Sequence, residues 1–200
     1  VPYGTYEKER GGPSASSKTM TIDLDSLWKF SDPALSEERF RNALKTASGD
    51  NAFILHTQIA RTYGLRKDFA KARDILSGIA SERDMAGAQA QTYYWLEWGR
   101  TYGSATHPAD AITADTKAQA RDAYERAIAI AAQAGLDGLR VDALHMLAFV
   151  DTSDQDQLKW GLQALEVVQA SDQPAAKKWE ASLRNNVGYA LHQLGRFEEA

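Results

Sequence analysis

The side chains able to do acid–base, nucleophilic or metal chemistry are thinly spread along this chain. Of the four histidines, His56, His107, His145 and His192, no two stand at the His-x3-His spacing that puts a metal-binding pair on one helical face. The stretch "THPADAITAD" gathers His107, Asp110 and Asp115, the composition of a solvated loop rather than of a cation site. Cysteine is absent, which excludes disulfides, thiolate nucleophiles and cysteine-held zinc or iron–sulfur centres. "GRTYGS" and "GGPSASS" lack the lysine and preceding strand of a phosphate-binding loop, and no strand-to-helix nucleophile elbow occurs. The expectation is a protein with no catalytic residues, no metal and no cofactor. The densest cluster is aromatic: Tyr93, Tyr94, Trp95, Trp98 and Tyr102. Trp95, Trp98 and Tyr102 keep helical spacing and are expected in a core, while Tyr94 lies off that face as a stacking or docking surface.

The elements that would position such groups are helices. A 44% hydrophobic, 25% charged chain of 200 residues can bury a sizeable core. Its net charge of -4 gives no attraction to phosphate backbones or anionic membranes. No apolar run approaches the roughly 18 to 20 residues of a membrane span. These features predict neither nucleic-acid nor membrane partners, and a soluble, cytoplasmic protein. Residues 1–20 read as a disordered tail or tag, with Met20 as a natural start. Residues 21–49 read as an N-terminal capping helix region, in which Ser31 or Asp32 caps, Pro33 suits the first turn, and Leu35, Phe40, Ala43 and Leu44 share one face. Beyond it the pattern predicts helices near 51–64, 67–81, 86–104, 116–134, 137–150, 155–170 and 175–194, with another beginning at Arg196. The breaks carry turn residues: "GLRKD", "ASERD", "AGLDG", "DTSDQD", "ASDQP" and "LGR". The predicted class is all-α, a series of helical hairpins.

The hairpins repeat. "HTQIARTYG", "WLEWGRTYG", "HMLAFV" and "NNVGYAL" each follow a large apolar residue with alanine or glycine, the small side chain expected where two helices cross closely. "DFAKARDILSGI", "AQARDAYERAI" and "GRFEEA" repeat the second helix. This pattern resembles the tetratricopeptide repeat, W-x2-L-G-x2-Y followed by A-x3-F at a pitch of about 34 residues. "WLEWGRTY" with "ARDAYERA" carries the resemblance most closely, and "NNVGYALHQLGRFEEA" is similar to the opening of one unit. The small positions 60, 99, 148 and 188 stand 39, 49 and 40 apart, a longer pitch that extended helices and the loop "SATHPADAITADT" absorb. In the third unit, Asp151 and Gly161 depart from the pattern. The resemblance implies a right-handed α-solenoid over residues 50–200, with units near 50–84, 85–135, 136–171 and 172–200. The last is incomplete, because Phe197 and Ala200 belong to a packing helix that stops after one turn. Further repeats are expected to follow in a parent chain, with self-association through the open carboxyl end as the lesser alternative.

Members of this family bind partners in a concave groove lined by first helices. The resemblance therefore implies a peptide-binding groove formed by Thr57, Arg61, Leu96, Arg100, Asp142, His145, Phe149, Ser182, Asn185, Tyr189 and His192. Arg61 and Arg100, one unit apart, are expected to favour an acidic segment through bidentate contacts, unless nearby acids such as Glu97 claim them. Asn185 can both donate to and accept from a peptide backbone. The family's carboxylate clamp is matched at Asn186, but its lysine positions hold Thr57, Leu96 and Asn185. The implied function is a protein–protein interaction scaffold. The alternative is a ligand-sensing regulatory module, favoured if the 105–116 loop closes the groove; a buried polar cluster with shifted pKa values would instead suggest an enzyme.

Overall fold

The computed structural model describes residues 22–200; the tail expected over 1–20 and the start at Met20 lie outside the described residues. Every regular element among the described residues is helical. The short α1 (Leu24–Leu27) leads to α2 (Pro33–Leu44), where the Asp32 carboxylate accepts the Leu35 N–H at 3.1 Å and Pro33 occupies the first turn. Of the two expected caps, Asp32 is the one used. α3 (Gly49–Leu65) and α4 (Phe69–Ile79) are joined by a turn in which Lys67 adopts φ 66°, and Asp68 caps the Lys71 N–H at 3.1 Å. A 3-10 turn over Ala80–Met85 precedes α5 (Ala88–Arg100). α6 (Ala114–Ala134) opens on a Thr113/Thr116 capping box and closes on left-handed Gly135. Then come α7 (Asp137–Leu147) and α8 (Asp154–Ala170), the latter capped by Ser153.

Two expected elements differ. The helix over 175–194 is broken at Lys178 and Trp179 into α9 (Pro174–Lys177) and α10 (Glu180–Gln193). Arg196 begins a turn, not a helix, and Phe197 is 64% exposed beside His192.

Helices pack in chain order: α3 with α4, α5 with α6 and α7 with α8, while α3 also touches α5 and α6 touches α7. The core follows this order as four clusters. Phe40, Leu55 and Ile59 join α2 to α3; Phe53, Ala60, Leu76 and Tyr94 join α3, α4 and α5. Leu96, Tyr124 and Leu147 join α5, α6 and α7; Val141, Leu165, Leu183 and Leu191 join α7, α8 and α10. Tyr94 is therefore core, with 3% exposure, and the docking role expected for it is corrected. Trp95 and Trp98 take the half-buried rim instead, because the α3–α4 hairpin covers the face of α5 that carries Tyr94.

Two helices cross closely at Gly99. A Cβ there would meet the Tyr124 ring at 2.6 Å, and the Tyr124 hydroxyl donates to Gly103 O at 2.6 Å beyond it. Gly188 shows no such crossing, since a Cβ there would meet only the Ala200 backbone at 3.7 Å. Close approach to α10 comes instead from Gly161, whose Cβ would stand 2.8 Å from Val187. A glycine that departs from the repeat pattern thus supplies the crossing expected of Gly188.

Two loops clasp backwards onto the preceding hairpin. In the segment after α5, Thr106 Oγ1 donates to Gly64 O at 3.3 Å and His107 stacks on Phe69 at 3.7 Å. Before α9, Gln173 donates from Nε2 to Gly135 O at 2.7 Å and accepts the Asp137 N–H at 3.2 Å. No helix among the described residues is long and apolar enough to cross a membrane.

Candidate functional site

Three adjoining depressions are lined by residues of α3, α5, α7 and α10 together with the segments between helices. The middle one, about 250 Å³, is lined by α3, α5 and α7, with Ser104, Ala105 and Thr106 of the clasping loop in its wall. Arg61, Asp142 and Trp179 separate it from a second depression of about 560 Å³, which extends over Trp28, Phe30 and Tyr93. His145 and Phe149 separate it from a third of about 640 Å³, which runs past Asn185, Asn186, Tyr189 and His192. Ala148, Gly161 and Gly188 line this third depression, where small side chains leave room.

The structure brings together Arg61, Arg100, Asp142, His145 and Phe149 in the middle depression, and Asn185, Tyr189 and His192 in the third. Thr57 and Leu96 do not join them. Both are fully buried, and the Thr57 hydroxyl donates to Ile54 O at 2.6 Å. Thr57 shares a helical face with Arg61, but that face is covered by neighbours and only the long guanidinium side chain reaches the opening. Ser182 is exposed, donates to Trp179 O at 3.0 Å, and lines none of the three depressions.

Charge is concentrated in the middle depression. Arg100 donates from Nη1 to Glu97 Oε1 and from Nη2 to Asp142 Oδ1, each at 2.6 Å. Burial alone would lower the Arg100 pKa, but the Asp142 and Glu97 carboxylates outweigh it and hold the guanidinium charged. Burial likewise pushes Asp142 up, and Arg100, then Arg61, override it so that its carboxyl lies below its usual value. Arg61 is looser. Its guanidinium stands 3.8 Å from Glu97 and lies over the Trp28 and Phe30 rings at 5.4 and 5.2 Å, and burial followed by repulsion from Arg100 lowers its pKa. Burial, with Asp142 and Glu97 adding to it, pushes the Tyr93 phenol up to about 12. Two atoms are left over: Arg61 Nε and Glu97 Oε2 are buried with no hydrogen-bond partner.

Arg100 is thus claimed by two acids and is not free to hold an acidic ligand. Glu97 is visible in the sequence at i,i+3 from Arg100, whereas Asp142 comes from 42 residues away and no local pattern joins them. Trp179 was not expected at the site. It reaches two depressions because the helix breaks at this residue, and it packs 5.2 Å from His145. His107 is occupied in the loop: its Nδ1 accepts the Ser104 N–H at 3.1 Å, so Nε2 carries the proton and donates to Thr101 O at 3.0 Å. Among the described residues no group of three or more His, Asp or Glu side chains is gathered as metal ligands. No protein-family model, no curated protein and no solved structure matches the chain.

Proposed function

We propose that the chain is a tetratricopeptide-like, right-handed α-solenoid whose concave face binds an extended peptide or protein segment. The observation that carries this reading is the series of three depressions with shared walls. A strand-like segment presents alternate side chains to one surface and leaves its backbone amides free for side-chain partners. Asn185 and Asn186 supply groups that both donate and accept. Tyr189, 61% exposed, supplies a stiff aromatic anchor at the rim. An acidic preference is not part of the proposal, because of the two arginines expected to impose it Arg100 already faces Glu97 and Asp142 and Arg61 stands 3.8 Å from Glu97.

A ligand-sensing module is the second reading, favoured by the loop residues Ser104–Thr106 in the wall of the middle depression. Acid–base catalysis has less support. Arg100 and Asp142 hold each other in their charged forms, so neither exchanges a proton near neutral pH. The test is to pan a displayed peptide library against the chain and titrate the enriched peptide calorimetrically. Tyr189→Ala and Phe149→Ala should each weaken binding at least about tenfold, the loss of an interface anchor, with melting little changed for the exposed Tyr189. Failure to enrich any peptide, or affinity in both variants equal to that of the unmodified chain, overturns the reading.

A further inference from the structure

The third depression, about 640 Å³, differs from its neighbours in charge. Asp, Glu, Lys and Arg make up 25% of the chain and line both other depressions, with Arg61 and Asp142 in each and Asp23, Asp25 and Lys178 in the second. Among the described residues, none of these four types lines the third. The charges close to it in sequence are held by partners of their own. Asp151 accepts from Trp160 Nε1 at 3.1 Å and from Arg121, Lys159 lies 4.3 Å over the Trp160 ring, and Arg184 donates to Glu180 at 2.7 Å.

Neutral polar groups take the place of charge. Asn185 and Asn186 are exposed on α10, and their side-chain amides have no hydrogen-bond partner among the described residues. The Gln157 amide reaches only Thr152 O, at 3.4 Å. Phe149, Trp160 and Tyr189 add flat apolar faces. This lining sorts what can enter. A carboxylate or ammonium would leave water and find no counter-charge in the lining. A wholly apolar segment would strip water from the asparagine amides and return no hydrogen bond. A hydroxyl or amide side chain both donates and accepts, and adds no charge.

We propose that the third depression selects an uncharged stretch of the bound segment, one whose entering side chain is a hydroxyl or an amide. This rests on the groove reading and adds to it the chemical class of the segment at one end of the groove.

The test locates the entering residue and then changes its charge. Measurements are made at pH 7.5, above the usual imidazole value of about 6.5, because His145 and His192 also line the depression. p-Benzoylphenylalanine in place of the exposed Thr152 should cross-link the library-selected peptide, and mass spectrometry names the peptide residue that enters. Peptides with Gln, Leu, Glu or Lys at that residue are then titrated calorimetrically. Gln should bind most tightly. Glu and Lys should each bind at least about fivefold more weakly, an unmatched charge at a partly open site costing that much or more. Leu should bind about threefold more weakly, the loss of one ordinary hydrogen bond. Asn186→Asp should move Lys ahead of Gln, and Asn186→Lys should move Glu ahead; circular dichroism checks that both variants are folded, and the series on the unmodified chain stands without them. Glu, Lys or Leu binding as tightly as Gln, no cross-link from a bound peptide, or an unchanged order in the folded variants overturns the proposal. A library that enriches no peptide overturns the groove reading and this inference together. A bound peptide indifferent to charge at the cross-linked residue overturns this inference alone.

Discussion

Gly99 and Gly188 occupy the same place in the sequence pattern and do opposite things. Gly99 lies under the Tyr124 ring, where even a methyl group would stand 2.6 Å from carbon. Gly188, like Ala148 before it, lines an open depression beside Tyr189. At Gly99 a small side chain lets helices touch; at Gly188 it keeps them from filling a cavity. The two sites differ in the same way in their polar groups. Around Gly99 they are buried and paired, as Glu97 and Arg100 are, whereas around Gly188 Asn185, Asn186 and His192 are exposed. One sequence signal therefore marks two physical needs, close packing and open space, and only the neighbours distinguish them.

The contrast can be broken experimentally. The largest effect is expected for Arg100→Ala, which leaves Glu97 and Asp142 buried without their cation and should cost about 3–5 kcal/mol in chemical unfolding. Loss of less than about 1 kcal/mol would mean that these charges are solvated. Gly99→Ala should cost about 1–3 kcal/mol by forcing the Tyr124 ring aside. Acidification is expected to weaken the fold through His56, His107 and His145, whose pKa values burial lowers below 6.5. The sign follows from linkage: the unfolded chain takes up protons first, so this stability is complete above pH 6.5 and is lost as pH falls through the folded values. Melting temperatures at pH 7.5 and 5.5 measure it, and His107→Gln should narrow the gap between them. The smallest effect is expected for Gly188→Ala, whose Cβ meets only the Ala200 backbone at an ordinary 3.7 Å and which should gain up to about 1 kcal/mol from helix propensity. A cost comparable to that of Gly99→Ala would erase the distinction between the two glycines.

The helices and their order were legible because each carries its own period and punctuation. Asp32 with Pro33 starts α2, and the Ala or Gly after a large apolar residue marks the first helices. The small residue at Gly99 was legible, since Ala or Gly recurs at that place, whereas its meeting with Tyr124 of the paired helix was not, because the recurring aromatic was expected to pack into the next unit. Periodicity could not say how many neighbours cover a face. That is why Thr57 and Leu96, placed on the groove by the resemblance, and Tyr94, expected as a stacking or docking surface, are buried at 0, 0 and 3% exposure. Nor could it reveal partners across the fold: Asp142 meets Arg100 only after α7 packs against α5. The break at Trp179 is equally non-local, because α9 is held by the Gln173 contacts to the turn before α7.

The two backward clasps carry a mechanical consequence. Thr106 ties the second hairpin to Gly64 and Gln173 ties the last helices to Gly135, each by a side chain reaching across a seam between neighbouring pairs. Pulled apart at its ends, the chain should not open evenly like a coil spring. It should yield in steps, with extension held until a clasp lets go and one hairpin unravels beside a neighbour that is still intact.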